Sequence, residues 1–282
     1  KIPLVTTYHG TYSGNNNFLK KKYNKVMTNG DSVITISKFI DDHVRFFFPE
    51  ARKRLVQINR GIDTDYFNLK SVSLVRKENI LKSLSIPENT HIVLLPARLT
   101  SWKGHLVAIE ALNEVLKMNL DLKILMLFVG SENKGDKFTK KIKKRIKSLS
   151  LENNIVFCGN ISDMPSVYSI SDIVLSTSVE PEAFGRISAE ACSMTKPVIA
   201  TNHGGSREII ENKVTGWLTK PNDSKELAGT IVDVLKLSQN KKDLIVNNAR
   251  KRIIEKFSLR QMLDKTLKVY EDLIAAKENF SN

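Results

Sequence analysis

Long apolar runs and cysteines are both scarce in this chain of 282 residues. A membrane-spanning helix needs about eighteen or more consecutive apolar residues, and no such run occurs. The longest apolar runs, such as residues 92–95 and 124–129, have the length of strands. The 2 cysteines, Cys158 and Cys192, lie in elements that we predict to be buried. Packed thiols in a reducing compartment are therefore favoured over a disulfide or a metal site, and no metal is expected.

A dinucleotide-binding fingerprint is also missing, since no G-x-G-x-x-G follows any predicted strand. Its absence disfavours an oxidoreductase that holds its cofactor on a Rossmann domain. Aromatic residues make up only 7% of the chain, and no motif interleaves them with basic residues. Nucleic acid is therefore not an expected partner, although the net charge is +14. An anionic membrane surface is the other partner that such a charge favours, through peripheral contact.

The densest basic stretch, residues 134–147, has one apolar face. Phe138, Ile142, Ile146 and Leu149 recur at helical spacing, which predicts a helix that covers a sheet and keeps its lysines in solvent. Contact with an anionic membrane is the alternative use of this helix.

Apolar segments of strand length alternate with helical patterns along the chain. We predict strands at residues 2–8, 32–37, 54–59, 92–97, 122–129, 155–158, 172–176, 197–201 and 216–218, and helices at residues 17–27, 38–47, 105–116, 165–171, 186–194, 206–210, 224–237, 241–257 and 259–276. Alternation with short connections indicates doubly wound parallel sheets and the α/β class. We divide the chain into a first Rossmann-like unit (1–61), a second (62–257) and a C-terminal helix (258–282).

Two glutamates, Glu182 and Glu190, stand with seven residues between them in a predicted strand–loop–helix–strand unit. The loop and the start of the helix fall at the carboxyl end of a parallel strand, where open α/β sheets bind ligands. The helix N-terminus offers free N–H groups to an anion, and Gly185 permits a close approach of the backbone. One carboxylate is suited to a sugar and the other to a ribose. The alternative is a surface helix with two acidic residues.

Residues 180–223, which run from EPEAFGRISAE to GWLTKPND, resemble the donor-binding half of retaining GT-B glycosyltransferases of glycosyltransferase family four. The likeness is to bacterial members that build lipopolysaccharide and related glycans. Other segments match the family's motifs in the family's order. They are His9 with Gly10, residues 59–63 (NRGID), residues 96–98 (PAR) with 102–104 (WKG), and residues 156–159 (VFCG). The resemblance extends over residues 2–257.

The resemblance implies a GT-B fold, in which two Rossmann-like units face each other across a cleft. The family's first unit is much longer than residues 1–61 and opens with a glycine-rich loop that has no match here, so we expect this unit to be only partly present. The implied activity moves a hexosyl unit from a UDP- or GDP-sugar to a lipid-linked or polysaccharide acceptor, at the cytoplasmic face of the membrane. The alternative is a non-catalytic remnant that binds a nucleotide sugar, and we expect the isolated chain to transfer poorly.

The resemblance also assigns roles to single residues. Arg98 and Lys103 would hold the diphosphate without a required metal, and replacing either should lower turnover far more than stability. Glu190 would bind the ribose, whereas Glu182 and His9 would contact the transferred sugar, with the nucleophile left open. We count Glu182, His9, Arg98 and Lys103 as catalytic, and Glu190, Ala183, Phe184, Gly185 and Gly159 as further residues that bind the sugar donor.

Three lesser expectations concern the surroundings of this site. Residues 202–205 (NHGG) follow a predicted strand and are expected to line the cleft. Asp172, Glu208 and Gly216 match positions of the family that we interpret as structural. Residues 33–36 are expected to expose an apolar face of an incomplete first unit and so to favour association.

Overall fold

The computed structural model describes residues 2–12, 18–118, 120–132 and 136–279. The strands in this part of the chain are β1 (Val5–Tyr8), β2 (Ser32–Thr35), β3 (Leu55–Gln57), β4 (His91–Pro96), β5 (Ile124–Val129), β6 (Ile155–Gly159), β7 (Ile173–Ser176), β8 (Val198–Thr201) and β9 (Trp217–Thr219). The helices are α1 (Phe18–Lys25), α2 (Lys38–Phe47), α3 (Leu74–Ser83), α4 (His105–Lys117), α5 (Lys137–Ser148), α6 (Met164–Ile170), α7 (Arg186–Ser193), α8 (Ser206–Ile209), α9 (Ser224–Lys236), α10 (Gln239–Lys256) and α11 (Leu259–Asn279). Residues 17, 134 and 135, which belong to predicted helical stretches, lie outside the described residues.

The strands form two parallel sheets. The first has the order β1-β2-β3, and the second has the order β6-β5-β4-β7-β8-β9. In the second sheet the chain builds outward from β4 to β6 on one side, and then returns to β4 and builds outward from β7 to β9 on the other. The order therefore reverses between β4 and β7, and their carboxyl ends flank the crevice in which doubly wound sheets bind ligands.

Both faces of the second sheet are buried, as its nearly continuous apolar strands predict. Leu94 and Val174 point to one face, where they pack with side chains of α7 and α10. Val93 and Leu175 point to the other face, where they pack with side chains of α4 and α9. This alternation along parallel strands is the doubly wound arrangement that the sequence predicts.

The apolar residues of β2 are buried, so the expected exposure of residues 33–36 is wrong. Val33, Ile34 and Ile36 are at most 5% exposed. The reason is that β2 is the central strand of the first sheet and α2 and α11 cover its two faces: Ile36 packs in the core that contains Ile40 of α2, and Ile34 packs against Val269 of α11. The exposed apolar side chains of this unit lie mostly elsewhere, namely on Leu4, Phe18, Leu19, Tyr23, Val26 and Phe46.

The C-terminal helix α11 returns to the first sheet. The chain crosses itself closely where β3 leads into the second unit: Ile62 N donates to Phe257 O at 2.8 Å, and Leu259 N donates to Ile62 O at 2.8 Å. A Cβ atom at Gly61 would lie 2.6 Å from the Cα atom of Leu259, so glycine is required at this crossing. The crossing ties the two sheets together through the start of α11.

The basic helix α5 covers the second sheet as predicted. Ile142 and Ile146 are buried, and Phe138 and Leu149 are half-buried in the same apolar cluster. Cys158 and Cys192 are both free thiols, but only Cys192 is fully buried. Burial raises the pKa of Cys158 to about 11 and that of Cys192 to about 12, which makes both thiols poor nucleophiles. Within the described residues, no helix combines the length and apolar character that crossing a membrane requires.

Candidate functional site

The loop after β4 carries Arg98 and Lys103. It leaves the carboxyl end of β4, passes through one 3₁₀ turn (Ser101–Lys103) and enters α4 at Gly104. Gly104 has a φ of +77°, and a Cβ atom there would lie 1.8 Å from the carbonyl oxygen of Thr177, at the end of β7. Because only glycine tolerates this contact, the loop after β4 lies directly against the loop after β7.

The loop after β7 presents Glu182 to Lys103. Lys103 Nζ donates to Glu182 Oε1 at 2.7 Å, and the two side chains are only 13% and 9% exposed. Ser178 Oγ donates to the same carboxylate oxygen. The Lys103 ammonium also lies 4.0 Å from the ring centroid of Trp102. Lys103 and Glu182 therefore form a nearly buried ion pair, and each depends on the other for compensation of its charge.

Residues 202–205 support the Glu182 loop from behind. Gly205 N donates to the carbonyl oxygen of Glu182 at 2.8 Å. A Cβ atom at Gly204 would lie 2.5 Å from that same oxygen, and one at Gly205 would lie 2.4 Å from the carbonyl oxygen of Phe184. Neither these glycines nor His203 line the two cavities described below. The two glycines let two backbones touch, and a cleft-lining role for residues 202–205 stays a prediction.

Glu190 lies on α7, one turn after Arg186, and is 6% exposed. Tyr168 OH donates to Glu190 Oε2 at 2.8 Å, and Arg186 Nε donates to Oε1 at 2.5 Å. Burial raises the pKa of Glu190, while the charge of Arg186 and the two hydrogen bonds oppose that rise. Burial and the neighbouring carboxylate raise the pKa of Tyr168 well above its usual value, so this hydroxyl remains a hydrogen-bond donor. Both oxygens of Glu190 thus have a partner, one buried and one exposed.

A cavity of about 670 Å³, here called the β4–β7 cavity, opens where the strand order reverses. It brings Arg98, Lys103, Glu182 and Glu190 together, with Arg186 beside them. The remaining lining residues are Tyr66, Phe67, Pro96, Ala97, Val129, Gly130, Asn160, Ile161, Ser162, Met164, Tyr168 and Ile187. Cations and carboxylates that face one space suit a ligand with an anionic part and several hydroxyl groups. A cavity of similar volume, about 680 Å³, lies at the amino end of β4 and contains none of the predicted site residues.

A second cavity of about 490 Å³, here called the intersheet cavity, lies between the carboxyl ends of the two sheets. Residues from the first sheet are His9, Gly10 and Thr11 after β1, Ile36 after β2 and Arg60 after β3; residues from the second are Arg98, Trp102 and 180–186. Arg98, Glu182 and Arg186 line both cavities, so the two spaces adjoin.

His9 lines the intersheet cavity, and the pKa of its imidazole is lowered. The surrounding protein atoms lower its pKa, and the charge of Arg60 lowers it further. A neutral imidazole at pH 7 offers one N–H donor and one acceptor nitrogen, which suits a sugar hydroxyl better than an anion. The contact between His9 and a sugar stays a prediction.

The other residues that we counted as donor-binding have structural tasks as well. Gly185 has a φ of +93° and begins α7. The ring of Phe184 is buried, with its centroid 6.0 Å from that of Phe257. Ala183 and Phe184 both line the intersheet cavity, and the use of their N–H groups to bind the sugar donor stays a prediction. Gly159 lines neither cavity: its carbonyl oxygen accepts from Gly130 N at 2.8 Å and holds the ends of β5 and β6 together.

Hydrogen bonds join the two units beside the intersheet cavity. The carboxylate of Glu208 accepts from Lys38 N at 2.9 Å and from Phe39 N at 2.8 Å, so a residue of α8 satisfies the free N–H groups at the start of α2. Ser37 Oγ donates to Ala183 O at 2.6 Å, in the same region. Glu208, for which a structural role was predicted, therefore links the two units through hydrogen bonds.

Sequence reasoning missed three residues of the site. Tyr168 and Ser178 carry no motif of their own, and their burial against Glu190 and Glu182 becomes visible only in the folded chain. Arg60 lies inside a motif that we had recognised, NRGID, so its signal was present but unused. Across the described ranges, no group of three His, Cys, Asp or Glu side chains is placed to hold a metal ion.

Two family models match the chain. The model described as "Glycosyl transferases group 1" matches residues 76–252, and the model described as "Glycosyltransferase Family 4" matches residues 1–66. The first match alone covers more than half of the chain.

Solved glycosyltransferase structures share the fold. A glycosyltransferase from Rickettsia africae ESF-5 superposes with a TM-score of 0.87 at 39% sequence identity, over 96% of this chain and 70% of that one. Anabaena Alr3699/HepE in complex with UDP and glucose superposes with a TM-score of 0.83 at 26% identity, over 95% of this chain and 71% of that one. The α/β fold with parallel sheets of the GT-B kind, predicted from the sequence, is thereby confirmed.

Sequence alignments with known relatives also cover most of the chain. Spore coat protein SA of Bacillus subtilis (strain 168) is 25% identical over 246 residues, which is 85% of this chain and 64% of the relative. A putative colanic acid biosynthesis glycosyltransferase, WcaL of Salmonella typhimurium, is 22% identical over 265 residues, which is 90% of this chain and 61% of the relative. The chain thus spans less than two thirds of the length of these relatives.

Proposed function

Because this chain belongs to the glycosyl transferases of group 1, we propose that it moves a hexosyl unit from a nucleotide-diphosphate sugar to a glycan or lipid-linked acceptor, with retention of configuration. One observation carries this proposal. Arg98 and Lys103 meet Glu182 and Glu190 in a single cavity at the point where the strand order of the second sheet reverses. An anion site and two hydroxyl-binding carboxylates together match the two chemical halves of a nucleotide sugar.

The sugar donor is proposed to bind in the β4–β7 cavity as a UDP- or GDP-hexose. The guanidinium of Arg98 is suited to a bidentate contact with a phosphate, and the ammonium of Lys103 acts as a compact charge beside it. Glu190, fixed by Tyr168, would accept hydrogen bonds from the ribose hydroxyls. The complex of the related Anabaena protein with UDP and glucose supports a uridine nucleotide as the first candidate.

The leaving diphosphate gains negative charge as the glycosidic bond breaks. Arg98 and Lys103 would stabilise that charge in the transition state, since they are held in position before the reaction begins. This arrangement supplies the positive charge from side chains, and we propose that no metal is required. Lys103 would exchange part of its contact with Glu182 for a contact with the phosphate, which leaves Glu182 available to the sugar.

Glu182 and neutral His9 would lie on the two sides of the transferred hexose. A carboxylate near the anomeric carbon favours the positive charge that develops there, and it also accepts a hydrogen bond from a sugar hydroxyl. We assign neither residue as a nucleophile. Retention would then follow from attack by the acceptor on the face that the diphosphate leaves.

The acceptor is proposed to be a glycan or lipid-linked glycan of the cell envelope, reached at the cytoplasmic face of the membrane. The name of the relative WcaL, which refers to colanic acid biosynthesis, supports this class of acceptor. The net charge of +14 supports peripheral contact with an anionic membrane surface.

Calorimetry with UDP, GDP and the two free nucleosides tests the sugar-donor site. We expect one diphosphate to bind, and Arg98→Ala to weaken binding of that diphosphate while leaving the weaker binding of the nucleoside unchanged. Arg260→Ala serves as the matched control, because it removes the same charge from an exposed position on α11. Failure of both diphosphates to bind the wild type would refute the proposed function.

Retention is tested without knowledge of the acceptor, by using water in its place. A retaining enzyme that slowly hydrolyses an α-linked UDP- or GDP-hexose releases the α-anomer first, and proton NMR resolves the two anomers before they equilibrate. Initial release of the β-anomer would contradict retention while leaving the sugar-donor site intact.

A further inference from the structure

We propose that the intersheet cavity binds an anionic group of the acceptor, a phosphate or carboxylate on a sugar, through Arg60. This inference rests on the proposed function and names the chemical class of its acceptor. It assigns Arg60 a binding role that the sugar-donor site does not explain.

The position of Arg60 is fixed by the backbone on both of its sides. Arg60 N donates to Ile36 O at 3.0 Å, which continues the pairing of β2 with β3 beyond the end of the strands. The next residue, Gly61, donates its N–H to the Sδ atom of Met262 at 3.2 Å, inside the close crossing with α11. The side chain therefore leaves a rigid part of the fold at the carboxyl end of the first sheet and lines the intersheet cavity. The backbone of Arg60 is thus in place before an anion binds, which lowers part of the ordering cost of binding.

Among the described residues Arg60 forms no salt bridge, although its charge acts on Glu190 and opposes the rise in the pKa of that carboxyl group. Glu182 is paired with Lys103, and Arg186 with Glu190. Among the residues that the structure describes, the guanidinium of Arg60 has neither an ion pair nor a side-chain hydrogen bond, and Glu180, which lines the same cavity, forms no ion pair with it. The positive charge of Arg60 also lowers the pKa of His9 and so helps to keep that imidazole neutral. The first-sheet side of the cavity therefore carries a positive charge that no described side chain contacts in an ion pair or hydrogen bond.

The sugar donor accounts for the other cations but not for Arg60. Its only anionic part is the diphosphate, which Arg98 and Lys103 face from the β4–β7 cavity. Arg60 does not line that cavity, and it belongs to the opposite sheet. Glu182 lines both spaces, so an acceptor in the intersheet cavity would meet the transferred sugar at Glu182. Arg60 lines the cavity in which the acceptor would lie. Its guanidinium is suited to a carboxylate or a phosphate, which it can bind through two parallel N–H groups.

Binding of small sugar acids to the nucleotide-saturated protein tests the proposal. The protein is saturated with the diphosphate that it binds, UDP or GDP, so that Arg98 and Lys103 are occupied, and dissociation constants are measured by ligand-observed NMR in about 0.15 M salt to screen the general positive charge. The probes are glucose 6-phosphate, glucuronate and neutral glucose. The variants are Arg60→Ala, Arg60→Lys and the matched control Arg260→Ala.

We expect the wild type to bind at least one of the two anionic sugars about tenfold more tightly than glucose, which is the order that one charged hydrogen bond supplies. Arg60→Ala should abolish this preference, Arg60→Lys should keep part of it, and Arg260→Ala should keep all of it. Affinity for the nucleotide should change less than twofold in all three variants. The stronger of the two anionic probes identifies the source of the charge as phosphate or carboxylate.

Two outcomes would overturn the inference and leave the proposed function standing. One is nucleotide binding without any preference for the anionic sugars. The other is a loss of nucleotide affinity in Arg60→Ala that equals the loss for the sugar acids, which would place Arg60 in the sugar-donor site. Absence of nucleotide binding in the wild type would instead refute the proposed function itself.

Discussion

The carboxylate of Glu190 accepts hydrogen bonds from two residues, Tyr168 and Arg186, that differ in burial. Tyr168 is fully buried and cannot turn away, whereas the side chain of Arg186 is 65% exposed and can. A ribose that approaches Glu190 therefore displaces or shares Arg186, while Tyr168 keeps the carboxylate oriented. The tyrosine is a positioning residue, which acts on the sugar donor through Glu190.

Tyr168→Phe should weaken nucleotide binding without removing any group that touches the nucleotide. We expect a rise of about tenfold in the dissociation constant, since a hydrogen bond to a charged group contributes roughly 1.5–3 kcal/mol. Burial already raises the pKa of Glu190, and loss of the Tyr168 hydroxyl removes a bond that opposes the rise. The pKa of Glu190 should therefore be higher in the variant than in the wild type. As the pH falls, Glu190 of the variant is protonated first, so the variant should lose nucleotide affinity at a higher pH.

Calorimetry between pH 5 and pH 8 checks this prediction. Tyr270→Phe is the control, because Tyr270 is an exposed tyrosine on α11. If Tyr168→Phe and the wild type lost affinity at the same pH, the tyrosine would only fill space.

Arg98→Ala and Lys103→Ala should both lower turnover, but they should differ in stability. Each removes a positioned cation at the leaving group, which typically costs on the order of a hundredfold in rate. Arg98 is exposed, so its removal should hardly change the melting temperature. Lys103 is nearly buried with Glu182, and breaking such a pair costs about 3 kcal/mol because one charge remains unpaired. The structure thus revises our sequence-based expectation for Lys103.

Thermal and chemical denaturation of the single variants and of Lys103→Ala/Glu182→Ala separates the two effects. The double variant should regain stability relative to Lys103→Ala and stay inactive. A Lys103→Ala protein as stable as Arg98→Ala would contradict the importance of the buried pair.

At the scale of elements, the start of α4 depends on Gly104. Gly104→Ala would place a methyl group 1.8 Å from the carbonyl oxygen of Thr177, in a conformation with positive φ. The loop that carries Arg98 and Lys103 would have to move away from β7, so we expect a loss of stability of more than about 2 kcal/mol together with weaker nucleotide binding.

Gly229→Ala is the matched control for this substitution. Gly229 lies inside α9 with no atom within 4 Å of the added methyl group, so alanine should stabilise the helix by roughly 0.5–1 kcal/mol. Urea denaturation and nucleotide titration of both variants provide the comparison. If Gly104→Ala bound nucleotide normally, the loop after β4 would not need its contact with β7.

At the scale of the whole molecule, α11 joins the two units. Val269 is 9% exposed and packs against Ile34 and Ile58 of the first sheet, whereas Leu267 on the same helix is 56% exposed. Val269→Asp should lower the free energy of unfolding by about 3 kcal/mol or more, since it buries a charge without a partner. Leu267→Asp should change it by less than about 0.5 kcal/mol. Equal effects in chemical denaturation would show that α11 does not hold the first sheet in solution.

The sequence by itself determined the class of fold and the sequence of elements. Helices such as α2 and α5 appear close to the residues that their patterns predicted, because apolar periodicity and capping residues are local properties of the chain. Strand ends were less well defined: β1 begins at Val5 and not at residue 2, since pairing with β2 decides where a strand begins. The motifs around Arg98, Lys103, Glu182 and Glu190 were also visible, because each is a short run of consecutive residues.

Only the tertiary structure decided which of those residues meet. Lys103 and Glu182 lie 79 positions apart along the chain, and Ser37 and Ala183 lie 146 apart. Their contacts depend on β7 returning to pair with β4 and on α11 covering the first sheet, and both follow from the burial of many side chains at once. A motif specifies what a residue can do, but the packing of distant strands specifies its partners. For that reason the burial of Glu182, the tyrosine behind Glu190 and the position of Arg60 in the intersheet cavity emerge only from the folded chain.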